Sequence, residues 1–146
     1  MWLSRPLGWA QQLIHSNGST VNFVTHITTD NDHNIDPDLF QQAVLAVIYN
    51  EPHLRADVNL KISPATWVAA TDFSQVFRYV DLRWESVEDT ATVMDGMDGM
   101  RDVWELVEEE ANFPWQMGSG RPLYRCVLVK VTAGYVVINI SHQAMA

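Results

Sequence analysis

Alternation between apolar and polar positions is the first ordered signal along the chain. From Thr20 to Thr29, Val21, Phe23, Thr25 and Ile27 share one face, and their β-branched and aromatic character predicts a strand. Asp30 to Asn34 is polar and turn-like. Asp36 then stands as a helix N-cap and Pro37 as the first helical residue, where a missing N–H costs nothing. Leu39, Phe40, Ala43, Val44, Val47 and Ile48 repeat at helical spacing, and Asn50-Glu51-Pro52 ends the helix because the residue before proline avoids the α region. Leu54, Ala56, Val58, Leu60 and Ile62 next alternate with Arg55, Asp57, Asn59 and Lys61, the pattern of a strand with one buried and one wet face.

After Ser63-Pro64 the pattern predicts a second short strand around Gln75 to Val80. Ser86 and Asp89 have capping-box spacing for a further helix. The run Met94-Asp95-Gly96-Met97-Asp98-Gly99-Met100 should break that helix, since each glycine costs about 1 kcal/mol in a helix interior. A second helix is expected near Arg101 to Ala111. Two strands finish the chain, Tyr124 to Val131 and Tyr135 to Ser141, joined by Thr132-Ala133-Gly134, whose glycine can take a positive φ. The order strand, helix, strand, strand, helix, hairpin predicts a mixed α/β fold of the α+β type, with helices packed on a largely antiparallel sheet. With no internal repeat and no linker, residues 1–146 read as one domain.

Composition narrows the function classes. The 47% hydrophobic and 18% charged fractions fit a folded domain with a sizeable core. Net charge is −9, and the nine Lys and Arg are dispersed, which argues against nucleic acid and against an anionic membrane surface as partners. The acidic stretch from Glu85 to Glu110 reads as a solvated helical face. No run reaches the ~18 apolar residues of a membrane span, and no secretory signal is visible at the N-terminus. The single cysteine, Cys126, fits a reducing, cytoplasmic setting and reads as an inert buried thiol.

Candidate chemistry is sparse. His15, His26, His33, His53 and His142 show no zinc-type spacing, and the doubled Met-Asp-Gly lacks the further oxygen ligands of a calcium loop, so no metal is expected. A nucleophile elbow and a phosphate-binding glycine loop are both missing. His142 remains, where the last strand runs out. A histidine there is placed for acid–base work, although a lone strand-end histidine is more often structural. Trp67, Trp84, Trp104 and Trp115 read as core residues.

Four segments, taken in order, resemble condensation domains and the related alcohol acyltransferases. Arg5-Pro6-Leu7-Gly8-Trp9-Ala10-Gln11-Gln12 looks like their opening segment. Leu39-Phe40-Gln41-Gln42-Ala43-Val44, followed by Glu51-Pro52-His53-Leu54-Arg55-Ala56, is similar to their first helix and its closing turn. Phe113-Pro114-Trp115 with Gly120-Arg121-Pro122-Leu123-Tyr124-Arg125 resembles their approach to the hairpin, and Ile138 to Ala146 resembles the strand entering a His-His-Xaa-Xaa-Xaa-Asp-Gly motif.

The resemblance implies the N-terminal half of a chloramphenicol acetyltransferase-like fold, with the active channel between two halves. It also implies transfer of an acyl group from a CoA or carrier-protein thioester to a hydroxyl or amine. The thioester would be a co-substrate, with no permanently bound cofactor. The partners implied are a missing C-terminal half, or a second copy of the chain, and a small-molecule acceptor. Arg55 and Arg125 would be channel residues pairing with carboxylates, although surface or strand-edge placement suits them equally.

Two registers of the motif are open. If Ala144-Met145-Ala146 are its spacer, His142 is the first histidine and Gln143 stands at the catalytic position. Otherwise His142 is catalytic, with Ser141 before it and Ala146 in place of the aspartate. The first register needs one departure from the motif and the second needs two. The shared face of Ile138, Ile140 and His142 also favours the first. Glutamine cannot act as a base near neutral pH, so on that register catalysis is impaired. The competing reading is a binding or assembly module that kept the fold and lost its base.

Overall fold

The structure, a computed structural model, describes residues 5–6, 20–29, 34–63, 65–82, 97–132 and 134–142. In chain order these form β1 (Arg5–Pro6), β2 (Thr20–Ile27), α1 (Pro37–Asn50), a 3-10 turn (Pro52–Arg55), β3 (Ala56–Asn59), β4 (Thr66–Ala69), β5 (Phe77–Asp81), α2 (Met97–Ala111), β6 (Tyr124–Val131) and β7 (Gly134–His142). The mixed α/β architecture with largely antiparallel pairing is the one expected.

The strands divide into two sheets rather than one. A three-stranded sheet has the order β1-β4-β3, and a four-stranded sheet the order β2-β7-β6-β5. All pairings are antiparallel except β5 with β6. Parallel neighbours need a crossover connection, and α2 lies within the segment that joins this pair. Its Val103, Leu106 and Val107 pack on Val127, Val129, Val136, Ile138 and Ile140, one face of the four-stranded sheet. Fully burying side chains of this kind contributes roughly 1.5–3 kcal/mol each.

The opposite face carries Cys126, Leu128, Tyr135 and Val137, covered by Phe40 and Val44 of α1. Helix α1 begins as its sequence implies. Asp36 Oδ1 accepts from the Asp38 backbone N–H at 2.9 Å, and Pro37 opens the first turn.

Leu123 sews the two sheets together. Its N–H donates to the Ala56 carbonyl at 3.1 Å, and its own carbonyl accepts from the His142 N–H at 2.9 Å. The end of β7 is thereby tied to the start of β3.

Several expectations need correction. The strand expected from Leu54 to Ile62 is only β3, because Pro52 opens a 3-10 turn and residues 61–63 form a bend. Its alternation also fails: Ala56, Asp57 and Val58 are all buried, while Leu60 and Ile62 are exposed. Strand β4 was not anticipated. Helix α2 begins at Met97 and runs through Gly99, so that glycine does not break it. Trp104 lies on the outer face of α2 and is exposed, whereas Trp67 is buried and Trp115 half-buried. The helix expected from Ser86 and Asp89, the Met94 to Gly96 part of the break, and Trp84 lie outside the described residues. No helix among the described residues is long and apolar enough to cross a membrane.

Candidate functional site

His142 ends β7 with 0% relative exposure, on the α2 face shared with Ile138 and Ile140. Period-2 alternation along the strand sends Asn139 and Ser141 to the other face. The Trp115 ring meets the imidazole edge-on, with centroids 6.4 Å apart and planes at 90°. Trp115 in turn packs against Phe113, centroids 5.2 Å apart, and the Arg125 guanidinium lies 4.4 Å above the Phe113 ring centre. A continuous stack therefore links Arg125 to His142 through the Phe113-Pro114-Trp115 segment. The Trp115 indole nitrogen Nε1 is buried with no hydrogen-bond partner among the described residues.

Arg125 is anchored at its other end by a buried carboxylate. Its Nε donates to Glu110 Oε2 at 2.6 Å, its second guanidinium nitrogen to Glu110 Oε1 at 3.2 Å, and its third to the Gln75 carbonyl at 3.1 Å. Arg78 adds a bond to Glu110 Oε1 at 2.8 Å and reaches Glu109 at 3.3 Å. Two cations around one buried anion leave a surplus positive charge, which the exposed Glu109 balances at the surface. Such bidentate, charge-assisted bonds fix direction as well as adding energy.

The segment 112–123, between α2 and β6, is held from below by Asp57. This carboxylate is buried and accepts from the Gly118 N–H at 2.9 Å and the Gly120 N–H at 2.8 Å. Both glycines have positive φ, 78° and 85°, which turns their N–H groups toward one point. The Gly120 carbonyl accepts from the N–H groups of Thr71 and Asp72 at 2.8 and 2.9 Å. Arg121 Nε donates to Asp72 Oδ2 at 3.3 Å. Bonds from Ser74 come first among the causes that hold the Asp72 carboxyl below its usual pKa, with Arg121 contributing less. Segment 112–123 is thus fixed at Gly118, Gly120 and Leu123, and Trp115 is presented to His142 from a rigid base.

Of the residues singled out from the sequence, Arg125 and His142 come together through the aromatic stack. Arg55 stands apart: it ends the 3-10 turn, its Nε is buried without a hydrogen-bond partner, and it makes no ion pair among the described residues. Gln143 lies outside the described residues. Cys126 is buried among Leu128, Tyr135 and Val137, and burial pushes its thiol up to about 11, as an inert cysteine requires.

Sequence reasoning missed Glu110 and Asp57. The acidic pattern places Glu110 on a solvated face, yet it is 2% exposed. It continues the series Val103, Leu106, Val107 at helical spacing, so the signal was its place on the apolar stripe. Asp57 fell on the wet phase of an alternation that the structure does not keep.

No family model matches the sequence, and no curated protein is significantly similar to it. Solved structures are. The starter condensation domain of the rhizomide synthetase RzmA superposes with a TM-score of 0.72 at 17% identity, over 98% of this chain and 34% of that one. A doubly substituted form of the same domain, solved in complex with C8-CoA, gives 0.72 at 18% identity over 97% and 31%. The tallysomycin biosynthesis protein TlmII gives 0.69 at 16% identity over 97% and 33%. The chain therefore has a condensation-domain-like fold and spans about a third of the length of the structures it matches.

Proposed function

We propose that the chain is the N-terminal half of a condensation-type acyltransferase, which moves an acyl group from a CoA or carrier-protein thioester to a hydroxyl or amine. The observation that carries this reading is the position of His142: it closes the last strand of a condensation-domain-like fold, backed by Trp115 and pinned through Leu123. A neutral imidazole or an equivalent base beyond that strand end would accept the acceptor's proton as it attacks the thioester carbonyl. The similar domain solved with C8-CoA supports an acyl-CoA as the donor. The opposing wall of the channel would come from a C-terminal half or from a second copy of the chain. The lone buried thiol is in keeping with a cytoplasmic setting.

In this reading His142 is the first, structural histidine of the motif, and Gln143 holds the position of the base. The full burial of His142 suits packing better than proton exchange with an acceptor. The glutamine also favours a second reading, a binding or assembly module that kept the fold without the base.

Acyl-CoA turnover with alcohols and amines tests both, first on this chain alone and then on the chain joined to a C-terminal half. The isolated chain should be inactive, because proximity between groups of both halves supplies much of the rate. In the joined protein Gln143→His should raise activity, since general-base groups typically contribute ~10²–10⁴-fold. Activity that ignores Gln143→His but vanishes with His142→Ala would reverse the register. A joined protein that stays inactive with Gln143→His, and still binds acyl-CoA, would establish the binding module.

A further inference from the structure

Helix α2 buries one stripe, Val103, Leu106, Val107 and Glu110, and leaves Trp104, Glu105, Glu108 and Glu109 exposed on its outer side. Trp104 is 57% exposed, and its indole has no ring or cation partner among the described residues. Glu108 follows it by four residues. That spacing makes the two side chains neighbours on the helix surface, with Cβ atoms about 5–6 Å apart.

The charge beside Trp104 is not compensated within the fold. A helix C-terminus carries partial negative charge and favours cations, yet the last turn of α2 contains Glu108, Glu109 and Glu110 and no basic residue. Arg78 and Arg125 neutralise Glu110, and Arg78 also reaches Glu109. Glu108 has no such partner: its backbone carbonyl accepts from the Asn112 N–H and side-chain amide, while its carboxylate meets no cation among the described residues. One acidic group is therefore left against an unfavourable dipole, next to an open indole face. The net charge of −9 draws cations toward the whole surface, and this pair gives one of them a defined place to settle.

We infer that Trp104 and Glu108 form a docking point for an arginine side chain of a partner protein, its guanidinium stacked on the indole and bonded to the carboxylate. Arginine can make both contacts at once, because its planar guanidinium stacks on aromatic faces and pairs with carboxylates. Lysine, a compact and strongly hydrated charge, matches the pair less well. Tryptophan and arginine are also enriched among the residues that dominate binding at protein interfaces. The docking point faces away from the sheet and from His142. It neither needs acyl transfer nor depends on that reading.

The full chain is titrated at low salt with an octapeptide of alternating arginine and glycine, and with its lysine and glutamate counterparts. Calorimetry measures binding, and the NMR signal of the Trp104 indole N–H, assigned by its loss in Trp104→Leu, locates it. The arginine peptide should shift that signal saturably and bind more tightly than the lysine peptide, and the glutamate peptide should leave it unmoved. Trp104→Leu keeps every charge and should weaken arginine-peptide binding about two- to fivefold, the range of an exposed cation–π contact. Glu108→Gln should weaken it similarly. Both positions are exposed, so the variants should keep the native circular dichroism, and if one does not, the other decides. Equal binding of the lysine peptide, binding without a shift of the Trp104 signal, or undiminished binding in a folded variant would show attraction to net charge alone. Any of these, or no saturable binding at all, would overturn the inference.

Discussion

Glu110 is one charge buried among apolar neighbours, and its surroundings decide whether it stabilises. Taking a carboxylate out of water costs several kcal/mol, and only close, well-directed partners offset that. Arg125 supplies two bonds and Arg78 a third. Glu110→Ala would remove the anion and leave two guanidinium groups facing each other, one of them nearly buried. Loss of a buried partner of this kind typically costs about 3–5 kcal/mol, and Glu110→Gln should fall between wild type and alanine. Urea denaturation checks this, and a loss below about 1 kcal/mol for the alanine variant would mean that the cluster is solvated. The stack over Phe113 depends on the same anchor, so Trp115 fluorescence should report loosening near His142. Such a residue is only half legible in a sequence. Helical spacing places Glu110 on the apolar stripe, but Arg78 and Arg125 lie 32 and 15 residues away, and only the fold brings them to it.

Among the elements, those with a complete local signal were readable: α1 has its cap and proline, and the β6–β7 hairpin has two long alternating runs. At the start of β7, Gly134 has φ of 130°, and a Cβ built there would collide with the Ile27 carbonyl oxygen. Both constraints are backbone constraints, so no side-chain rotation relieves them. Gly134→Ala should therefore destabilise by at least about 2–3 kcal/mol, the scale of a residue forced into a sparsely populated region. The damage should concentrate in the pairing of β2 with β7, where Ile27 faces Tyr135. Amide hydrogen exchange tests this, since β2 should lose protection before β6 does; uniform loss would count against it. Elements with weaker local signals were misread for identifiable reasons. Strand β4 is four residues long, too short for a period to register. In β3 the polar phase of the alternation points inward, because Asp57 finds two N–H donors contributed by glycines 61 and 63 residues away. In α2, Gly99 stands three residues into the helix, where burial of Val103, Leu106 and Val107 outweighs a glycine cost of about 1 kcal/mol.

For the molecule as a whole, the outer edge of the four-stranded sheet is the consequential surface. Strand β2 is an edge strand that pairs with β7 alone among the described residues. Its eight residues include no proline and no Lys, Arg, Asp or Glu, the devices that normally protect an open edge. Phe23 is 65% exposed and Val24 41%, and because neighbours on a strand point to opposite faces, the middle of this strand is open on both, whereas Ile27 at its end packs on the sheet core. An unprotected edge of this length favours pairing with another strand, from a C-terminal half or from a second copy. Opposing this is the net charge of −9, which makes approaching copies repel one another. The balance should therefore depend on salt. The Debye length falls from about 10 Å at 0.1 M to about 3 Å at 1 M, so screening removes the repulsion and leaves the edge attraction in place. Sedimentation of the chain at micromolar concentration should show a mass above that of the monomer that rises with ionic strength. Phe23→Lys and Val24→Lys should restore the monomer at all salt concentrations without lowering the melting temperature, since both side chains already face solvent. A chain that stays monomeric at high salt and binds no hydrophobic dye would show that the edge is protected, and would count against a second copy as the proposed completing partner.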